Sequence, residues 1–113
     1  MTIYNIPDHL RGDTWDGLTF TLSSNGVTAS LTAVSSVVAE FRQDIDSPVA
    51  LTLTTTNSSI LIVEPLSGII QFTPQIIEIP FQTYVYDIQV NYTSGAKKTY
   101  TKGTWKILPD ITQ

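Results

Sequence analysis

A chain of 113 residues is the length of one domain, and 42% hydrophobic against 14% charged residues excludes an intrinsically disordered one. The net charge of −4 argues against nucleic acid, which needs a basic stripe to meet its phosphates. Without cysteine there is no disulfide framework and no thiolate chemistry, which fits a reducing compartment, and no apolar run approaches the roughly 20 residues of a membrane-spanning helix.

The first ten residues read as an extended arm or a first edge strand, with Pro7 inside it. No basic stretch followed by an apolar core opens the chain, so no signal peptide is expected. Gly17 to Ser23 alternates, with Leu18, Phe20 and Leu22 facing inward and Thr19, Thr21 and Ser23 outward. Asn25-Gly26 is a strong signal for a two-residue hairpin turn. Val27, Ala29 and Leu31 then resume the inward face, so residues 17–32 read as a hairpin.

Val37, Ala39 and Phe41 alternate with Val38, Glu40 and Arg42 in the next strand. Asp46-Ser47-Pro48 turns the chain, and Val49, Leu51 and Leu53 share one face. Asn57-Ser58 breaks that pattern, Ile60 to Val63 is a short apolar strand stopped by Pro65, and Ser67-Gly68 turns into Ile69 to Thr73. Pro74 to Pro80 reads as one helical turn or as a crossover between sheets. Two long strands follow, at about 83–93 and 97–108. In the first, Tyr84, Tyr86, Ile88, Val90 and Tyr92 lie on one face, with Val85, Asp87, Gln89 and Asn91 on the other. The crossover before Tyr84 suits a tyrosine corner, in which a phenol bonds back to nearby backbone. Gly103 marks a bulge that lets Tyr100, Trp105 and Ile107 share a buried face. Seven or eight short strands with no persistent helical period make an all-β domain, an antiparallel β-sandwich or small barrel over residues 1–113. Trp105, Tyr86 and Phe20 are expected in its core.

Catalytic chemistry has little to stand on. His9 is the only histidine and lies in the N-terminal lead-in, a poor place for a preorganised base. Glu40, Glu64 and Glu78 show no spacing that suggests a glycosidase pair. Asp13 and Asp16 could join Asp44 and Asp46 as oxygen ligands of calcium, but each also suits a turn. Arg11-Gly12-Asp13 reads as a turn into the first core strand, and as an integrin tripeptide only in an extracellular context. Trp15 is the best candidate for an exposed aromatic that could stack on a host glycan, while the tyrosines of residues 84–92 look like core. All four lysines, Lys97, Lys98, Lys102 and Lys106, fall in one strand, as a docking face or as charges guarding a sheet edge. No enzyme, cofactor or metal is expected. The candidate interaction surface is Lys97, Lys98, Lys102, Lys106, Trp15, Arg11 and Asp13.

Three pieces taken together carry a family resemblance. Arg11-Gly12-Asp13-Thr14 opens a strand, Tyr86-Asp87-Ile88-Gln89 follows a crossover, and Gly95, Thr99 and Gly103 lead to a closing Pro109-Asp110-Ile111-Thr112. In this order they resemble small bacteriophage virion proteins and the N-terminal immunoglobulin-like domains of phage baseplate upper proteins. Proteins of that baseplate type continue past the closing motif, whereas this sequence stops at Gln113. The resemblance therefore implies a small structural accessory or connector protein of the head, neck, tail or baseplate. It implies an immunoglobulin-like sandwich present in multiple copies or as a homo-oligomer. Its partners would be other virion proteins, with neither nucleic acid nor membrane. Its location would be the virion, and the host cytoplasm before assembly. The arm at residues 1–10 or the strand at residues 97–106 could then add to a partner's sheet by main-chain pairing. The alternative function is a carbohydrate-binding or adhesion module.

Overall fold

The longest strands dictate the architecture. In a computed structural model that describes residues 2–109, Gln82–Tyr92 and Lys97–Leu108 form one antiparallel ladder joined at Ser94-Gly95. In chain order the strands are Thr2–Ile3 (β1), Ile6–Leu10 (β2), Thr14–Trp15 (β3), Leu18–Thr21 (β4), Ser23–Ser24 (β5), Val27–Thr28 (β6) and Val34–Arg42 (β7). Val49–Thr54 (β8), Ile60–Glu64 (β9), Ile69–Phe72 (β10), Gln75–Ile76 (β11), Gln82–Tyr92 (β12) and Lys97–Leu108 (β13) complete them.

Two sheets pack face to face as an all-β sandwich. The larger has the order β1-β13-β12-β7-β8, with β2 also on β13, and the smaller the order β4-β10-β9. Alternation along β7 and β12 buries Val37, Ala39, Phe41, Tyr84, Tyr86, Ile88 and Val90 against Phe20, Ile60, Ile70 and Phe72 of the smaller sheet. Trp105 is fully buried and stands 4.6 Å from Trp15 and 5.3 Å from Phe41, ring centre to ring centre. Residues 74–80 are the crossover and not a helical turn: β11 pairs with β3, and the chain passes from β10 to β12. At its end the Tyr84 hydroxyl donates to the Pro80 carbonyl at 2.5 Å, closing the tyrosine corner.

Four expectations need correction. Pairing is not wholly antiparallel, because β1 and β2 run parallel to β13. The arm is too short and, with Pro7, too irregular to show that partner by alternation. The strand of lysines is consequently not a free edge: the arm covers it from Thr101 to Leu108, and only residues 97–100 lie beyond the arm. The bulge falls at Tyr100, where the register jumps from Gln89↔Thr99 to Ile88↔Thr101, and Gly103 stays in register opposite Tyr86. Gly103 has another reason to lack a side chain. A Cβ there would fall on the Tyr4 carbonyl, so glycine lets the arm sit against β13. Finally, the hairpin of residues 17–32 is short. Asn25 (φ 53°) and Gly26 (φ 79°) make the turn, but β4 leaves to pair with β10, and Val27 at the tip is 70% exposed.

Candidate functional site

The outward face of the larger sheet is built from the residues that alternation turns away from the core. One row crosses it in register: Thr52 of β8, Glu40 of β7, Asp87 of β12, Lys102 of β13 and Ile3 of β1. The adjacent row runs Arg42, Val85 and Thr104. Between the β7–β8 loop and the arm these rows form an open groove of about 710 Å³. Its rims are apolar and solvent-facing. Ile45 of the loop is 86% exposed and Ile3 of the arm 68%, and Val85 on the floor is also exposed.

The charges in the groove are unequally used. Arg42 is committed: its Nη2 lies 3.3 Å from Glu40 Oε1 and its Nη1 donates to the Ser47 carbonyl at 2.8 Å. Asp87 and Lys102 are cross-strand neighbours, yet among the described residues neither side chain has an ion-pair partner. Desolvation, and then the Glu40 carboxylate beside it, raise the Asp87 pKa, while Arg42 pulls it back.

The groove's arm-side wall is held from inside. The Tyr86 hydroxyl donates to the Tyr4 carbonyl at 2.6 Å, next to the space that Gly103 leaves open. The indole N–H of Trp105 donates to the Pro7 carbonyl at 3.1 Å. Asn5 Oδ1 accepts from the Thr104 backbone N–H at 3.1 Å, satisfying that donor between β1 and β2.

The residues singled out in the sequence do not form one surface. The bulge at Tyr100 divides the lysines: Lys97 pairs with outward-facing Asn91, whereas Lys98 pairs with core-facing Val90 and places its Nζ 5.6 Å from the centre of the Tyr100 ring. Lys102 and Lys106 return to the outer face, and only Lys102 lines the groove. Trp15 is 7% exposed and packs on Trp105 and Phe72, which removes the platform proposed for glycan stacking. It is buried because β3 pairs with β11 and the ring packs inward, although its flanks, Asp13 and Asp16-Gly17, have the composition of a loop.

Arg11, Gly12 and Asp13 form a turn clasped to the crossover. Arg11 Nε donates to the Ile79 carbonyl at 3.2 Å, and the Gly12 N–H donates to the Ile77 carbonyl at 2.7 Å. His9 latches the same turn, its Nε2–H donating to the Asp13 carbonyl at 3.0 Å. Asp44 accepts from the Asp46 N–H at 2.9 Å, a turn role, and among the described residues no three His, Asp or Glu side chains converge. The closing Asp110-Ile111-Thr112 lies outside the described residues. Sequence reasoning missed Ile3, Ile45 and Val85. Val85 alone left a signal, as the one apolar residue on the outward face of β12. No family model and no curated protein matches the sequence.

Proposed function

We propose that this chain is a non-enzymatic structural component of a bacteriophage particle, an immunoglobulin-like sandwich that acts by protein contact through the outer face of its larger sheet. The observation that carries the contact role is the groove itself. Exposed Ile3, Ile45 and Val85 surround an unpaired Asp87 and Lys102, beside an arm-side wall tethered from the core. Exposed apolar rims of this kind mark surfaces that another protein covers. The strand order supports the immunoglobulin-like assignment: two sheets, a first strand parallel to the last, and a tyrosine corner at the start of the penultimate strand. The virion setting rests on the resemblance of the Gly-Asp-Thr, Tyr-Asp-Ile and Asp-x-Thr pieces, which recur here in order.

The test is immunogold electron microscopy on particles shed after prophage induction or infection of the source culture. Label at a fixed place on virions supports the reading and names head, neck or tail. Intact, unlabelled virions with the protein free or on cells would overturn it.

A further inference from the structure

We infer that the groove on the outer face of the larger sheet is occupied by a second copy of this chain, in a two-fold, face-to-face dimer. This rests on reading that face as a protein-contact surface. The argument begins with charge. The groove lining carries Arg42 and Lys102 against Asp44 and Asp87, so neither sign dominates. An acidic or a basic partner would meet as much like charge as unlike. A second copy, correctly turned, meets only unlike charge at Asp87 and Lys102.

The turn that does this is specific. Asp87 and Lys102 sit in register on β12 and β13, about 4.8 Å apart across the sheet. Consider a two-fold axis lying in the interface, parallel to these strands and passing between them. It reverses the lateral order, so β12 of each copy lies over β13 of the other. Asp87 then faces Lys102 of the second copy, and the symmetry repeats the pair. The same rotation lays the β7 side of one copy, with its Ile45 loop, over the arm side of the other, which carries Ile3. Glu40 keeps Arg42 as its own partner and asks nothing of the second copy.

Edge-to-edge pairing is the rival route to a dimer, and of the larger sheet's two edges β8 is blunted against it. The Ser59 hydroxyl accepts from the Thr54 N–H at 2.9 Å and donates to the Thr54 carbonyl at 3.2 Å, clasping that end of the strand. At the other end the register jumps from Phe41↔Leu51 to Arg42↔Val49, leaving Ala50 as a bulge. The free monomer also holds Asp87 in an environment that disfavours its charge, next to Glu40. A lysine from a second copy relieves that cost.

The experiment is sedimentation analysis of the purified chain at low ionic strength, where such pairs are least screened. The variants are Lys102→Glu, Asp87→Lys and the double swap, with circular dichroism to check the fold. Wild-type dimer is expected, with each single reversal weakening it by about tenfold or more, since it breaks both pairs and makes like-charge ones. The double swap should restore wild-type affinity. An equimolar mixture of the two single variants should form a heterodimer, one copy supplying two acids and the other two lysines. Ile45→Asp, at an exposed loop tip that cannot unfold the core, should also weaken the dimer.

A wild-type chain that stays monomeric at every concentration overturns the inference, whether or not virions carry the antibody label. So does a dimer whose affinity is indifferent to the reversals. A reversal-sensitive dimer in a chain that never labels virions supports this inference while the virion setting falls.

Discussion

The phenols of this chain tie its chemistry to its stability. Tyr84 is fully buried, with its hydroxyl on the Pro80 carbonyl at 2.5 Å. Tyr84→Phe keeps the ring and removes that bond, so urea melts should show a loss of about 0.5–1.5 kcal/mol. Burial raises the Tyr84 and Tyr86 pKa values, and burial together with the Tyr100 hydroxyl 2.7 Å away pushes Tyr92 up to about 12. The unfolded chain ionises its phenols near pH 10. The fold's preference for protonated phenol is therefore fully present below pH 10. It is lost as pH rises from there through the folded value of about 12 for Tyr92. Ultraviolet titration should find tyrosines that ionise late and are released on alkaline unfolding. All five ionising near pH 10 with the fold intact would contradict this. Asp87 obeys the same rule at acid pH. Its raised pKa means that its contribution is full below the ordinary carboxylate value and is lost as pH rises through the folded one. At pH 7 the charged carboxylate is a cost to the monomer. Asp87→Asn should leave the monomer's melting temperature unchanged or higher, and a clear drop would show that Asp87 stabilises the monomer.

At the scale of the element, legibility followed the strength of local signals. Gln82–Tyr92 declared itself because its residues from Tyr84 to Tyr92 alternate, with Val85 the one exception, and admit one face in and one face out. The Asn25-Gly26 turn was equally plain, since both residues must take positive φ. The arm was not, because its strands of two and five residues are fixed by parallel pairing to a strand nearly a hundred residues away. Nor was the groove, whose row from Glu40 to Ile3 exists only once four strands are in register. The Tyr100 bulge decided which lysines share a face, and no local residue type announced it. Gly103 was noticed for the wrong reason, and its real one is testable. In Gly103→Ala the new methyl collides with the Tyr4 carbonyl, which is backbone and cannot rotate away. The arm should lift, with amide exchange at residues 2–5 rising to near that of free chain while β7 and β12 stay protected. Tyr86→Phe removes the tether from the other side and should loosen the same segment, with the ring still packed on Phe41. Unchanged exchange in both variants would mean that the β1 ladder alone holds the arm.

Across the whole molecule, the all-β class followed from the repeated period of two, but the way the sheets are joined did not. What joins them is a ring cluster centred on Trp105. Its indole packs on Trp15, which leads into the smaller sheet, and on Phe41 of β7 in the larger one. Its N–H holds the arm at Pro7, and His9 of the arm lies 6.1 Å away. One side chain thus contacts both layers and the edge that walls the groove, so neither layer should open alone. Thermal unfolding followed by tryptophan fluorescence, which reports this cluster, should coincide with unfolding followed by far-ultraviolet dichroism, which reports the sheets. Trp105→Ala should cost about 3–5 kcal/mol. Trp105→Phe refills part of the space but leaves the Pro7 carbonyl without its donor, and should fall between that variant and wild type. An early fluorescence transition, with the strand signal still at its native value, would show the layers to be separable. The groove would then stand on the larger sheet alone.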